Sequence, residues 1–253
     1  MPTFVHGKGT KVYVDEFDLT SYFNSADLTM ANDTAETTAF GDTSKAYIKG
    51  LADGTIALSG MWSADTDGSD EELHALLGNT TTPLITVAEA AGTIGNGSII
   101  AQAHEVNYSI SNPVSDISTI SADFQASNDG TTNQSYGIRG AVQLTAGASI
   151  AFGSLGNLTG HDGAAASTGG GMAILHVPTN SIGGGVTTIK VQHDSASNFA
   201  SAADLITFST VAASTATSEL VAVSGTINRY VRVTASTAGS SGAITFMVSL
   251  ARF

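Results

Sequence analysis

Three groups of residues have types and spacings that could do chemistry. The first is the acidic run Asp65-Thr66-Asp67-Gly68-Ser69-Asp70-Glu71-Glu72, which has the outline of a calcium loop. A calcium loop of the EF-hand type needs glycine at the sixth position and glutamate at the twelfth. Here Gly68 is the fourth residue from Asp65, and the acids run straight into a helical pattern. A turn followed by a helix N-terminus fits better. The second group is the six histidines, His6, His74, His104, His161, His176 and His193. None lies in a His-Glu-x-x-His pattern or in a pair spaced for zinc, so no metal site is expected. The third is Arg229-Tyr230-Val231-Arg232, which either lines a sugar or anion site or is an alternating strand with exposed arginines. Neither a Gly-x-Ser-x-Gly elbow nor a phosphate-binding loop with its lysine is present. No catalytic residue, cofactor or metal ligand is therefore assigned, and the chain reads as a non-enzyme.

Composition points the same way. The 253 residues carry 22 Asp and Glu against nine Lys and Arg, a net charge of −13. A nucleic-acid-binding surface needs clustered cations to displace counterions, so that class is disfavoured. Charged residues are only 12% of the chain, so Ser, Thr, Asn and Gly must build much of the surface. Cysteine is absent, which removes disulfides and thiol chemistry. No apolar run is long enough for a membrane span. From Asp15 to Asp129 there are 18 acids and two bases, Lys45 and Lys49. The remainder to Phe253 has four acids and five bases. That shift, with a Gly, Ala and Ser-rich stretch after Leu144, predicts two domains, 1–148 and 149–253.

The elements that would position any site are mostly strands. Ile99–Ser111 and Val114–Ala126 alternate with period two, and Asn112-Pro113 separates them as the turn of a long hairpin. The alternation puts Ile100, Val106, Tyr108 and Ile110 on one face and Glu105, Asn107 and Ser109 on the other. In the second run Val114, Ile120, Ala122 and Phe124 face inward, and Asp123 lies on the polar face. Asp53–Trp62 is a further strand. Ser69–Gly78 is the one helix: Ser69 and Glu72 fit a capping box, Leu73, Leu76 and Leu77 form its apolar stripe, and Gly78 stops it. The second half predicts strands at 173–177, 186–193, 205–211, 219–223, 227–235 and 243–252. Short strands between Gly, Ser and Asn turns predict a mainly β fold. It comprises a sandwich or barrel with one short helix, then a second antiparallel, jelly-roll-like sandwich.

The block Thr37-Thr38-Ala39-Phe40-Gly41-Asp42-Thr43-Ser44-Lys45-Ala46-Tyr47-Ile48-Lys49-Gly50-Leu51, then Asp53–Trp62 with Ser59-Gly60-Met61-Trp62 at its end, resembles the major tail (tail tube) proteins of long-tailed bacteriophages. In that family a Phe-Gly-Asp-type loop links two strands, and a Gly-Leu turn, a strand and a short helix ending in Leu-Gly follow. The resemblance covers about residues 10–145, with Arg139-Gly140 near its close. The second half is similar to the accessory domain of some such proteins, through Asp162–Gly170, Ala173–Val177, Ile189–Ser195 and Arg229–Val233.

The resemblance implies a structural subunit that self-assembles into stacked, hexameric rings around a channel for DNA. The implied partners are further copies of the chain, the tape measure and the tail terminator. DNA would transit without specific binding. The implied location is the virion, with assembly in the host cytoplasm. An acidic, hydroxyl-lined wall would repel phosphate. On that reading Glu105 and Asp123 face the lumen, and Phe40, Asp42 and Tyr47 lie in an inter-subunit loop. The loop itself, Ala35–Leu51, shows no strong strand pattern. The competing reading is a carbohydrate-binding or adhesive β-sandwich module, resting on the second half.

Overall fold

In a computed structural model the described residues are 7–90, 93–127 and 138–253. The strands of the first part are β1 (Lys11–Val14), β2 (Phe17–Asp18), β3 (Phe23–Glu36), β4 (Tyr47–Met61), β5 (Leu84–Ala88), β6 (Gly97–Ser111), β7 (Thr119–Ala126) and β8 (Arg139–Gln143). Those of the second are β9 (Ser149–Ala151), β10 (His161–Asp162), β11 (Gly171–Asn180), β12 (Val186–Asp194) and β13 (Ala203–Thr207). They continue with β14 (Val211–Ala212), β15 (Thr217–Val223), β16 (Tyr230–Thr237) and β17 (Ala243–Arg252). The α-helix is α1 (Ser69–Leu76). The chain is thus mainly β with antiparallel pairing, as its alternating patterns predict.

Two compact units emerge, and they are not consecutive halves. One comprises residues 1–21, 84–100 and 139–253; the other comprises 22–83 and 101–138. The expected boundary at 148/149 falls between β8 and β9, and both of these strands pair with β17. Sequence composition cannot see such a pairing, because it joins segments about a hundred residues apart.

The first unit is a two-sheet sandwich. One layer runs β15-β11-β17-β8 and continues through the start of β6 to β5, β1 and β2, with β9 also on β17; the other runs β10-β16-β12-β13 with β14 on β12. Alternate residues of each layer point between them: Ala173, Leu175 and Val177 from β11, Ile189 and Val191 from β12, Val231 and Val233 from β16, Ile244, Phe246 and Val248 from β17. These apolar side chains supply the main drive for folding. Tyr13, Ala88 and Met247 join β1, β5 and β17 in a smaller cluster. Beside it the His176 ring stacks on Tyr13 at 5.4 Å. The imidazole is fully buried. The Asp15 carbonyl can only accept, so Nδ1 carries the proton and Thr86 Oγ1 donates to Nε2 at 2.7 Å. Burial pushes the His176 pKa down to about 4.

The second unit is a four-stranded sheet in the order β3-β4-β7-β6, with α1 packed on it. Gly60 lets the start of β3 approach closely, since a Cβ there would lie 2.0 Å from the Tyr22 carbonyl oxygen. The helix begins differently from the capping box. Gly68 is the N-cap residue and gives no side-chain cap. Ser69 is already helical, and its hydroxyl donates to the Met61 carbonyl at 3.0 Å while accepting from Ser63 N at 3.1 Å. The serine ties the helix to β4 instead of capping it. Leu73 is buried, Leu77 is exposed, and Gly78 takes φ +80°, as a helix stop requires.

Candidate self-assembly surface

Within the second unit, the register of the sheet fixes which side chains share a face. Directly opposed residues of antiparallel neighbours point the same way. Ser25, Ser59, Ser121 and Ser109 therefore form one row across all four strands. Asp27, Ala57, Asp123 and Asn107 form the next, and Thr29, Thr55, Gln125 and His104 form a third. None of these residues is Lys or Arg. The face is built from hydroxyls, amides and two carboxylates, with the Ala57 methyl and the His104 imidazole among them. Asn107 Nδ2 donates to Asp123 Oδ2 at 2.8 Å, Ser25 Oγ donates to Asp27 Oδ2 at 3.1 Å, and the Ser109 and Ser121 hydroxyls meet at 2.8 Å.

The opposite face carries Leu28, Ile56, Phe124 and Glu105 in one row, and Ala26, Leu58, Ala122 and Tyr108 in the next. Glu105 is the correction. It was expected beside Asp123 on the polar face, but it is 7% exposed and neither carboxylate oxygen has a hydrogen-bond partner. Burial pushes its pKa up to about 8. The cause is a bulge. Glu105 pairs with Phe124 and Asn107 with Asp123, so Val106 is the extra residue and stands exposed. A bulge of one residue swaps the faces of everything after it. Tyr108 and Ile110 consequently return to the apolar side, and unbroken alternation assigned Glu105 and Val106 wrongly.

Tyr108 also holds the helix. Its hydroxyl donates to the Asp70 carboxylate, and its ring stacks on His74 at 5.4 Å. That bond lowers the Asp70 pKa, while burial and the same carboxylate raise the tyrosine's. The β6–β7 connection is longer than the expected Asn112-Pro113 turn. It spans 112–118, and Val114 is fully exposed there instead of facing inward.

The segment expected as an inter-subunit loop is largely strand. Ala35–Glu36 ends β3 and Tyr47–Leu51 begins β4, which leaves 37–46 as the connection. β7 pairs only with Thr55–Met61 of β4. Among the described residues, 30–36 and 47–54 therefore make a two-stranded ribbon beyond the body of the sheet. Its apolar side chains are open: Met30, Tyr47, Ile48 and Leu51 are all exposed, and Phe40 at the tip is fully so. Asp42 is a local staple, with Oδ2 accepting from Ala39 N at 2.7 Å. The exposed Lys45–Glu36 pair, 3.2 Å apart, adds little. Phe40, Asp42 and Tyr47 thus sit together at the end of the ribbon. Sequence reasoning missed Asp27, although Ser25, Asp27 and Thr29 alternate with Ala26, Leu28 and Met30 as plainly as the residues of β7 do.

Among the described residues no group of three His, Asp or Glu side chains could hold a metal ion. No helix among them is long and apolar enough to cross a membrane.

Comparison with known proteins adds only distant likenesses. No protein-family model and no curated protein matches the chain. Among solved structures, a chain from the virion of a native gene transfer agent particle is 11% identical, with a TM-score of 0.42, over 49% of this chain and 95% of that one. A chain from the tail of an empty gene transfer agent particle with C6 symmetry is 10% identical, with a TM-score of 0.39, over 49% and 96%.

Proposed function

We propose that the chain is a structural subunit of a phage-type tail tube. Copies associate side by side into rings, six per ring as the sequence resemblance implies. The rings stack around a channel that DNA crosses without specific contacts. The carrying observation is the four-stranded face of Ser25, Ser59, Ser109 and Ser121 with Asp27 and Asp123. A wall that is hydroxyl-rich and negative, with no lysine or arginine in these rows, is what a phosphate backbone passes without sticking.

The ribbon supports self-association. Two strands that pair only with each other among the described residues are marginal in water, and a second copy would cover the exposed Met30, Ile48 and Leu51. On the same sheet β3 pairs with β4 alone among the described residues, so it offers an edge to a neighbour. An interface between unlike surfaces of identical subunits closes into a ring when the rotation allows. Virion location and contacts with tape measure and terminator proteins follow from this role. Electron microscopy of the concentrated protein tests it. Rings or tubes with a central hole support the reading, and a monomer at every concentration overturns it.

A further inference from the structure

We propose that the first unit carries a binding groove for carboxylate-bearing saccharides, built around Arg232 and Phe199 on the outer face of the β10-β16-β12-β13 sheet. The groove has a volume of about 620 Å³, and its walls include Asn157, His161, Asp162, Phe199, Tyr230 and Arg232, the Asp162 carboxylate being paired with Arg229. It does not depend on the tail-tube reading.

The site is held in shape by contacts that serve no packing of the core. Asp194 is buried, its Oδ1 accepting from Ala196 N at 3.0 Å and its Oδ2 from Ser201 N at 2.8 Å. This clasps the 195–201 loop. At its centre Phe199 adopts φ +52°, which a phenylalanine rarely takes. The conformation lays the ring over Gly160, where a Cβ would lie 2.5 Å from Phe199 Cε2. The Arg232 guanidinium stands 4.5 Å from the Phe199 ring centroid. Two residues earlier on the same strand face is Tyr230, half-exposed and also in the groove.

Charge matching picks out Arg232. Arg229 is satisfied by Asp162 through two bonds of 2.7 Å. Lys190 is satisfied by Asp204 at 2.6 Å. Arg232 instead donates from Nε and Nη2 to the neutral Gln192 Oε1, at 3.0 and 2.9 Å, and no carboxylate lies within ion-pair distance among the described residues. Gln192 is in turn fixed by its bond to Asp204 Oδ1 at 2.8 Å. A guanidinium oriented by a neutral partner retains its attraction for an anion. Half-exposed aromatic rings beside amide and hydroxyl side chains suit the alternating apolar and hydroxylated faces of a sugar. Burial and the nearby Arg252 lower the His161 pKa, so at neutral pH its imidazole offers a hydrogen bond without charge. A nucleic acid would need several cations in a row, which this groove lacks.

The test is titration calorimetry on the full chain with an oligogalacturonate and, separately, a neutral cello-oligosaccharide. The expected result is binding of the oligogalacturonate in preference to the neutral sugar, weakened about tenfold or more by Arg232→Ala and by Phe199→Ala. Arg232→Lys retains the charge without the fork and gives an intermediate loss. Lys45→Ala, an exposed cation in the other unit paired only with Glu36 among the described residues, leaves binding unchanged. If Arg232→Ala lowers the melting temperature, Gly160→Ala displaces the Phe199 ring without removing a binding group and must also weaken binding. No binding by the folded wild type at millimolar sugar, equal binding of both sugars, or binding indifferent to Arg232 and Phe199 overturns the proposal.

Discussion

Glu105 lies directly across from Phe124 on the covered face of the β6–β7 pair, and neither of its carboxylate oxygens has a partner. A carboxylate in that position is held in its neutral form. Its pKa rises from 4.5 to about 8 because burial penalises the charge. The native state therefore keeps a proton that the unfolded chain releases above about pH 4.5. This stabilising contribution is complete below pH 4.5 and is lost as pH rises toward 8. Across that window the group lowers stability by about 1.4 kcal/mol per pH unit at most. Urea unfolding at about pH 5 and about pH 9 reads the slope. Glu105→Gln should flatten it and stabilise the protein at the alkaline end. An unchanged slope would show that Glu105 ionises freely in the native state.

His176 works in the opposite window. Its pKa falls from 6.5 to about 4 because the imidazole is fully buried. The unfolded chain takes up the proton first, so the contribution is present above pH 6.5 and is lost as pH falls toward 4. His176→Phe would keep the ring stack on Tyr13 but leave Thr86 Oγ1 and the Asp15 carbonyl without this partner. The expected loss is about 2–4 kcal/mol at neutral pH. A loss within about 0.5 kcal/mol would make His176 a packing residue only.

Much of this was legible in the sequence, for reasons that also explain the misses. The strands β12 and β16 follow directly from alternation, since each has one face in the sandwich core, whereas β11 and β17 are buried on both faces over most of their length and read as apolar runs. The helix was visible from Leu73 and Gly78, whereas its start was not. Ser69 satisfies the capping pattern locally, but a tertiary bond to the Met61 carbonyl claims its hydroxyl. Val106 carries no mark that distinguishes a bulged residue from an inward one, so the face of Glu105 was unreadable. Arg232 looked like any arginine on an exposed strand. Its distinction lies in the neutrality of Gln192, a residue forty positions away.

The pairing of β17 with both β8 and β9 bears on truncation. Sequence reasoning expects a chain ending near residue 149 to fold and assemble. The structure gives a different expectation: removing 150–253 strips β8 of its β17 partner and takes Met247 from the Tyr13 and Ala88 cluster. Such a fragment should aggregate or lose cooperative unfolding. Circular dichroism melting and size exclusion read the outcome. A monodisperse, cooperatively melting fragment would restore the boundary at 148/149.

At the ribbon tip, Phe40 touches no core. Phe40→Ala should leave the melting temperature nearly unchanged, since exposed substitutions usually fall within about 0.5 kcal/mol. Assembly, measured by sedimentation at rising concentration, should weaken if the ribbon docks on a second copy. Adding Leu51→Ser, which is 80% exposed, should deepen the effect. Equal losses of stability and assembly would mean that the tip supports its own fold instead of a neighbour's.

The last prediction concerns Asp27 and Asp123, which share a row of the polar face. Neither is buried, so replacing each by Lys should preserve the fold. A ring repeats each side chain once per subunit, and stacking makes the field along the channel continuous. Two acids changed to two bases alter the charge by four per subunit. The wall would then carry cations able to displace counterions from a phosphate backbone. Asp27→Lys with Asp123→Lys should therefore give assembled protein that retains DNA at low salt and releases it as salt rises. The wild-type assembly should retain none. Filter binding across a salt series measures both. Retention by the wild type, or indifference of the double variant to DNA despite normal assembly, would remove this face from the channel.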